Sequence, residues 1–393
     1  MQSDGTPLNT QRRLIMPTLF MAVLSFQVPP AVLSFFLVDI ATTFETPVGV
    51  AGQLGTAGFL VTILTAALVG VAASRWTYKT LLLVCMGCLA VSGVGAALAP
   101  SFALLLVMYA LGGITTGMSM SLSMALIGQY YPVPERPKRS SYASIGYVLP
   151  GIVLPPLFGV MGDWRLAFLL VAVVAGTTAV MLWRGLPTEK APSGRPLAGY
   201  RDVLSNRSAL GLLIANIFAT AGFIVFMVFA LSLFREKFGL STELTSLIAT
   251  GMSLAYLMGI LVAGRIVHRY GRKWLTVVFC LVIGLAIIGL TVIPVWGIAV
   301  LAYYVGTFSG GIRGLAMMNL ALEQEPNHKA VMQAMTTVSQ YVASTVGTTL
   351  GGLILIWRNY DWLAILGLFT VIGGVLFQVT TIDPTKQVES PEA

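Results

Sequence analysis

The chain alternates between long apolar stretches and short polar ones. A transmembrane helix needs roughly 20 mainly apolar residues to cross the hydrocarbon core of a bilayer. Stretches of this kind occur twelve times along the chain. The pattern therefore predicts twelve transmembrane helices, over residues 14–38, 48–73, 80–99, 102–128, 139–161, 165–184, 209–234, 243–266, 274–293, 297–322, 329–356 and 362–380.

The least apolar internal stretch, residues 185–208, separates the sixth predicted helix from the seventh. It contains three prolines and charges of both signs, a composition typical of a linker. We therefore predict a six-helix bundle over residues 1–184, a cytoplasmic linker over 185–208, and a second six-helix bundle with a short cytoplasmic tail over 209–393.

The two predicted halves share identical residues at a constant offset of 194 positions. The identities lie in a short basic turn and in the helices around it: Gly70 and Gly264, Arg75 and Arg269, Lys79 and Lys273, Tyr109 and Tyr303, Gly117 and Gly311. A constant offset over this length indicates an internal repeat. The predicted fold is an all-α membrane protein made of two six-helix parallel repeats, an arrangement whose facing surfaces enclose a site near the bilayer midplane.

Composition supports a membrane location. Hydrophobic residues make up 56% of the chain and the mean hydropathy is +0.86, more apolar surface than a soluble domain can bury. The net charge of +8 comes from cations in short loops, which argues against a nucleic-acid partner. Cys85 and Cys88 lie inside an apolar helix without a histidine cluster, so we expect packing rather than a metal site. No cleavable signal peptide is expected.

The distribution of basic residues predicts the orientation. Of the 23 Lys and Arg residues, Arg165, Arg235, Lys237 and Arg358 lie on one side of the predicted membrane, and Arg313 lies inside a helix. The others lie on the side of the two termini. Because cytoplasmic loops carry the excess of Lys and Arg, we predict a multi-pass protein of the cell inner (plasma) membrane with both termini in the cytoplasm.

The basic turn over residues 264–273 reads G-R-I-V-H-R-Y-G-R-K. It resembles the loop signature G-x-x-x-D-R-x-G-R-K of the major facilitator superfamily of transporters. His268 stands where the family has Asp, and Ser74 does so in the first copy. Residues 39–54, 146–159 and 162–168 resemble the helix 1–2 connection, the helix 5 motif and the helix 5–6 turn of the twelve-helix drug-antiporter and sugar-efflux branch. Tyr109 replaces the helix 4 arginine that this branch links to proton coupling.

The resemblance implies alternating access, with the basic turns acting in gating. The gating residues assigned on this basis are Arg75, Lys79, His268, Arg269, Arg272 and Lys273. The alternative is a set of basic loops that only fix orientation. Because the family's Asp is missing from both turns, we expect the arginines to pair with carboxylates in neighbouring loops: Glu135, Glu323 or Glu325.

Pro29 and Pro30 add a second gating candidate, because both fall within the first predicted helix. Two adjacent prolines remove two backbone donors and should kink the helix. A hinge beside the substrate site and a static kink are both compatible with this position.

Arg313 lies in the tenth predicted helix, well before its cytoplasmic end near Leu322. An arginine near the bilayer centre costs about 2.5–3.5 kcal/mol on insertion scales. We expect Arg313 to face a cavity and to bind an anionic group. A structural pair, or snorkelling to the surface, is the alternative.

The resemblance also implies that helices 1, 4, 7 and 10 line the substrate cavity. Their polar side chains, with contributions from helices 5 and 11, give the candidate substrate-binding residues Gln27, Tyr109, Thr116, Tyr147, Asn216, Tyr303, Arg313 and Gln340. Each of these residues has an alternative role in packing or in helix–helix hydrogen bonding.

The sequence predicts a secondary active transporter that moves a small organic molecule by alternating access, most simply by efflux. An alternative is an organic-anion carrier that uses Arg313 as its anchor. A membrane receptor or enzyme is disfavoured, because the loops are short and no nucleophile–base or metal-ligand pattern is present. No cofactor is expected. The expected partners are the substrate, protons or another coupling ion, and the lipid bilayer, with the chain acting as a monomer.

Overall fold

The computed structural model of the chain describes residues 6–132, 135–186, 200–325 and 329–382. Every regular element within these ranges is helical, which confirms the all-α prediction. Helices satisfy all their backbone hydrogen bonds within one segment, which a hydrocarbon environment requires.

The twelve predicted spans each coincide with one long helix. These are α1 (Thr6–Thr43), α2 (Gln53–Arg75), α3 (Tyr78–Ala97), α4 (Phe102–Tyr130), α5 (Arg136–Met161), α6 (Trp164–Gly185), α7 (Arg207–Ile224, continued by a π-helical turn, Val225–Phe229, and by Ala230–Glu236), α8 (Thr242–Tyr270), α9 (Arg272–Val292), α10 (Trp296–Gln324), α11 (Lys329–Trp357) and α12 (Ala364–Thr380). Within the described ranges, nine helices are long and apolar enough to cross a membrane, and a shorter apolar helix covers Ile145–Met161.

Polar side chains and one glycine define where these helices begin and end. The hydroxyls of Thr77, Ser101 and Ser241 accept hydrogen bonds from backbone N–H groups in the first turns of α3, α4 and α8. The side-chain oxygen of Asn206 accepts two such hydrogen bonds at the start of α7. Gly162 ends α5 in the left-handed conformation, with φ of 63°. These caps satisfy backbone groups that a helix leaves open at its ends.

Contacts within the chain form two compact units. The first contains Met1–Phe36 and Ala57–Pro196, and the second contains Leu37–Thr56 and Leu197–Ala393. The later boundary falls inside the predicted linker, of which residues 187–199 lie outside the described ranges. The Leu37–Thr56 segment, from the end of α1 to the start of α2, packs with the second unit.

The internal repeat is visible in how helices pack within each unit. In the first unit, Gly117 of α4 lies so close to α2 that a Cβ there would meet the carbonyl oxygen of Thr62 at 2.7 Å. In the second unit, a Cβ at Gly311 of α10 would meet the carbonyl oxygen of Tyr256 on α8 at 2.3 Å. Both members of the second pair lie 194 positions after those of the first. The same close helix approach therefore occurs once in each unit.

The repeated lysines of the basic turns also occupy matching positions. Lys79 donates hydrogen bonds to the carbonyl oxygens of Trp183, at 2.8 Å, and Leu186, at 2.5 Å, beside the end of α6. Lys273 donates to the carbonyl oxygen of Thr381, at 2.7 Å, beside the end of α12. A cation at a helix C-terminus satisfies open carbonyls and complements the helix dipole. Each lysine thus ties the third helix of its unit to the sixth.

The turn after α1 holds an unusual backbone conformation. Glu45 has φ of 51°, a left-handed conformation that favours glycine. Its N–H donates to the carbonyl of Thr42 at 3.2 Å, and the N–H of Thr46 donates to the carbonyl of Ala41 at 2.9 Å. This is the hydrogen-bond pattern of a Schellman motif. It ends α1 sharply and returns the chain toward α2.

We expect valine at Gly117 or Gly311 to destabilise the protein. The added side chain would separate α4 from α2, or α10 from α8, at a cost of about 1–3 kcal/mol. Thermal unfolding of the detergent-purified protein measures the effect. Gly128→Val is the matched control, because Gly128 lies on α4 with open space where its Cβ would be. Equal melting temperatures for Gly117→Val and Gly128→Val would contradict the packing argument.

Candidate substrate site and gating elements

In the first unit, Gln27, which is partly buried, and Tyr147, which is exposed, lie together. The amide Nε2 of Gln27 donates to the carbonyl oxygen of Tyr147 at 3.4 Å, which joins α1 to α5. The Tyr147 ring is 40% exposed and lies 6.0 Å from the ring of Phe26, centroid to centroid. The pair offers an amide, a phenol and an aromatic face to a ligand.

Tyr109 and Thr116, the α4 candidates, are less accessible. Tyr109 is 7% exposed and its ring packs over Gly58 of α2 and edge-on against Phe168 of α6. Thr116 is partly buried. Tyr109 therefore acts first as a packing residue in this structure.

In the second unit, Arg313 is 4% exposed. Its Nη2 donates to the hydroxyl of Thr220 on α7 at 3.2 Å, and Cys280 of α9 lies within electrostatic reach of the guanidinium. Arg313 shares a helix face with Met317 and Leu320, which belong to the core of this unit. We expected Arg313 to face a cavity, whereas the structure places its side chain among buried residues of this unit. The helix turns its side chain toward α7 and α9, where a hydroxyl offers an acceptor.

Asn216 connects to Arg313 through one intermediate. Thr220 donates to the Asn216 Oδ1 at 3.1 Å, and the Asn216 Nδ2 donates to the Ser339 hydroxyl on α11 at 2.8 Å. All four side chains are buried. The sequence predicted Asn216 and Arg313 as separate candidates, whereas the structure joins them in one polar chain across α10, α7 and α11.

Tyr303 is fully buried. Its hydroxyl donates to the carbonyl oxygen of Phe226 at 3.2 Å, inside the π-helical turn of α7. The Ser232 hydroxyl donates to the carbonyl oxygen of Phe229 in the same turn at 2.8 Å. A π-helical turn disturbs the regular hydrogen-bond ladder, and these two hydroxyls supply donors to it.

Gln340 of α11, another candidate substrate-binding residue, is exposed.

The prolines of α1 do not coincide with its distortion. Pro29 and Pro30 lie inside a helix that runs from Thr6 to Thr43, whose non-helical dihedral angles are those of Phe36, with φ of −99° and ψ of 17°. The proline ring holds φ near the helical value, so the two prolines remain compatible with helical dihedrals. Phe36 is also the last residue of the first unit before the Leu37–Thr56 segment begins.

The basic turns form one of the expected pairs with a carboxylate. Arg272 is ion-paired with Glu323, which joins the start of α9 to the end of α10. Arg75 is exposed at the end of α2. The side chains of His268 and Arg269 lie outside the described part of the structure. Gating by these residues stays a prediction.

An ion pair near the end of α7 was not predicted from the sequence. Arg235 forms a two-contact ion pair with Asp39, of which the Nη2–Oδ1 distance is 2.9 Å. The side chains are 16% and 31% exposed. Asp39 belongs to the Leu37–Thr56 segment, so the pair fixes this segment to α7. The sequence shows a charge of each sign near the predicted helix ends, but only the tertiary structure shows which charges pair.

The start of α2 contacts α11 through hydroxyl and amide groups. Thr56 donates to the Thr348 hydroxyl at 3.0 Å and lies 3.2 Å from the Thr349 hydroxyl. The amide of Gln53 donates to the carbonyl oxygen of Thr349 at 3.5 Å. Gly52 packs against the ring of Phe229. We call the Leu37–Thr56 segment, with the Asp39–Arg235 pair and these contacts, the clasp.

No cluster of three metal-ligating residues occurs among the described side chains. The polar groups near the candidate site are amides, hydroxyls and one guanidinium. Such groups bind a substrate by hydrogen bonds and by charge.

Curated relatives match most of the chain at low identity. A protein of Pseudomonas aeruginosa named transcription regulatory protein OpdE is 27% identical over 268 residues, covering 66% of each chain. The uncharacterized MFS-type transporter YfhI of Bacillus subtilis is 24% identical over 362 residues, 90% of each. A probable sugar efflux transporter of Helicobacter pylori is 24% identical over 259 residues, 65% of each. The match thus spans about two thirds of the first and third relatives.

Solved structures share the fold. A D-xylose-proton symporter superposes with a TM-score of 0.78 at 16% identity, covering 94% of this chain and 98% of the other. A bacterial homologue of the lysosomal transporter Spinster gives a TM-score of 0.77 at 15% identity, covering 99% and 100%. The family model described as Major Facilitator Superfamily matches residues 15–322 and 212–393. The chain is therefore a transporter rather than an enzyme, and it belongs to the major facilitator superfamily.

Proposed function

We propose that this protein exports a small, neutral, hydroxylated organic molecule of sugar-like chemistry by alternating access, driven by protons. The clasp is the observation that carries the proposal. The positive-inside distribution supports an inner-membrane orientation with both termini in the cytoplasm.

The continuity of α2 supports alternating access. The boundary between the two units falls between Thr56 and Ala57, inside the uninterrupted helix Gln53–Arg75. A rigid helix moves as one body, so the first turn of α2 follows the first unit whenever the units move. In the proposed cycle, the contacts of Gln53 and Thr56 with α11 break when it does so. The other boundary, at Phe36, coincides with the distorted dihedral angles of α1.

The strength of the clasp suits a reversible gate. A hydrogen bond to a charged group contributes about 1.5–3 kcal/mol, and one between neutral groups about 0.5–1.5 kcal/mol. The clasp combines one ion pair of this kind with a few neutral contacts. A substrate or proton that favours one state by a few kcal/mol is enough to shift such an equilibrium.

Amide and hydroxyl groups favour a neutral hydroxylated substrate. Gln27 is partly buried, Tyr147 and Gln340 are exposed, and all three are uncharged. Such groups both donate to and accept from sugar hydroxyls. The relatives named probable sugar efflux transporters support the same class and direction. The alternative, an organic anion anchored by Arg313, requires that a substrate reach a side chain on the core face of α10.

Protons are the proposed coupling ion, as in the D-xylose-proton symporter that shares the fold. The helix 4 arginine that the drug-antiporter branch links to proton coupling is Tyr109 in this chain, so the proposed coupling does not use that arginine.

Proteoliposomes with an imposed proton gradient test transport. A panel of labelled monosaccharides and disaccharides should include a molecule whose efflux is accelerated by an inwardly directed proton gradient. Tyr147→Phe and Gln27→Leu should each raise the KM for that molecule about 2–10-fold, the effect of one lost hydrogen bond. Tyr142→Phe, a hydroxyl removal at another exposed position of α5, is the matched control. Gradient-independent flux would rule out proton coupling.

Breaking the ion pair should open the clasp. We expect Asp39→Asn or Arg235→Gln to raise the rate at which an impermeant maleimide labels Thr349→Cys, in a background without the native cysteines. Loss of one or two kcal/mol changes an equilibrium constant by a factor of roughly 5–30.

Lys237→Gln is the control for that experiment. It removes the Lys237–Asp361 pair, 2.5 Å long, near the same end of α7 but without a residue of the clasp. Labelling that rises equally in Lys237→Gln, or that does not rise in Asp39→Asn, would contradict a gating role for the clasp.

A further inference from the structure

The guanidinium of Arg313 is almost entirely buried and mostly unsatisfied. An arginine carries five N–H donors. Nη2 of Arg313 donates to Thr220, and the sulfur of Cys280 lies within hydrogen-bonding reach of the guanidinium. Nε and Nη1 have no nitrogen or oxygen acceptor among the described residues. A buried donor without an acceptor costs about 1–3 kcal/mol, and more when the group is charged.

The polar chain beyond Thr220 does not supply further acceptors. Thr220 donates its proton to Asn216, Asn216 donates to Ser339, and Ser339 donates to the carbonyl oxygen of Thr336. Every donor in the chain points away from Arg313. The one oxygen turned toward the guanidinium is that of Thr220, which is neutral.

Among the described residues, no carboxylate forms an ion pair with Arg313. The described carboxylates of the second unit lie near helix ends or in loops, such as Asp39, Glu236, Glu323 and Asp361. The nearest one along α10 is Glu323, ten residues and about 15 Å away, and it is ion-paired with Arg272. Arginine stays protonated at any accessible pH, so the cost of burial is not relieved by losing the proton.

The surroundings limit the size of a counter-ion. Arg313 lies on the α10 face that packs into the core of the second unit, with Met317 and Leu320 on the same face at 1% and 0% exposure. Cys280, next to the guanidinium, is fully buried. A close-packed core of this kind has no room for an organic substrate, so a counter-ion at this position has to be small.

We propose that Arg313 holds a small inorganic anion of halide size inside the second unit. The open N–H groups of the guanidinium face the ion, and Thr220 of α7 and Cys280 of α9 fix the position of the guanidinium. The site neutralises a buried charge within the bundle. It is independent of the transported molecule and of the direction of transport.

Thermal unfolding of the purified full chain tests this proposal. Sodium chloride is replaced by sodium gluconate at constant ionic strength, because gluconate is too large for the site. The wild type should melt several degrees higher in chloride, and its melting temperature should rise with the logarithm of the chloride concentration, as mass action requires. Arg313→Gln should lose the dependence on chloride, and Arg313→Lys should keep part of it.

Arg358→Gln is the matched control, because Arg358 is an exposed arginine of the same unit. It should keep the full chloride effect. If chloride raised the melting temperatures of the wild type and Arg313→Gln equally, the stabilisation would come from chloride bound at the protein surface, and the proposal would be overturned. A wild type that melts at the same temperature in both salts would also overturn it, leaving water as the occupant.

Two further measurements keep the proposal testable if Arg313→Gln does not fold. Wild-type crystals grown in bromide should show an anomalous peak within hydrogen-bonding distance of the Arg313 nitrogens, and a peak elsewhere only would contradict the site. Acetate and benzoate should not replace chloride in the melting experiment. Stabilisation by these carboxylates but not by halides would assign Arg313 to an organic anion instead.

Discussion

The requirement that every backbone polar group be satisfied without water governs this molecule. In hydrocarbon the helix meets it within a single segment, and the described chain is helical throughout its regular elements. Caps by Thr77, Ser101 and Asn206, and lysines at the ends of α6 and α12, extend the same rule to the helix termini. Where α7 departs from the regular ladder, the hydroxyls of Tyr303 and Ser232 supply donors to the turn.

Once the helices are formed, small residues decide how closely they pack. Lipid offers no hydrophobic driving force between helices, so close van der Waals contact must hold them together. Gly117 allows α4 to approach α2 closely, and Gly311 allows α10 to approach α8 in the same way. The two contacts lie at equivalent positions of the repeat. Each unit thus packs two of its helices through the same close contact.

Polar and charged side chains occur in two kinds of surroundings in this protein. Around the clasp they are partly exposed and can be exchanged for water when the structure moves, so the free energy of each contact is small. Arg313 is the opposite case, because it is 4% exposed and its Nε and Nη1 have no hydrogen-bond partner among the described residues. The first arrangement suits a gate, and the second suits a fixed ion within a bundle.

The sequence by itself determined the helices, the repeat and the family. Those features depend on local hydrophobicity and on residue spacing, which can be read along the chain, and they agree with the helices and with the family match. It also identified Arg313 and Asn216 as unusual, since a polar residue in an apolar helix is visible without a structure.

Only the tertiary structure decided which of these groups meet. The face of α10 that carries Arg313 turns into the core of the unit, and Tyr303 turns toward the π-helical turn, because helix rotation is set by packing against neighbours. The Asp39–Arg235 pair joins residues 196 positions apart, and no local pattern encodes such a distance. Hydrophobicity fixes that a helix spans the membrane, whereas the side-chain contacts of its neighbours fix which way each polar residue points.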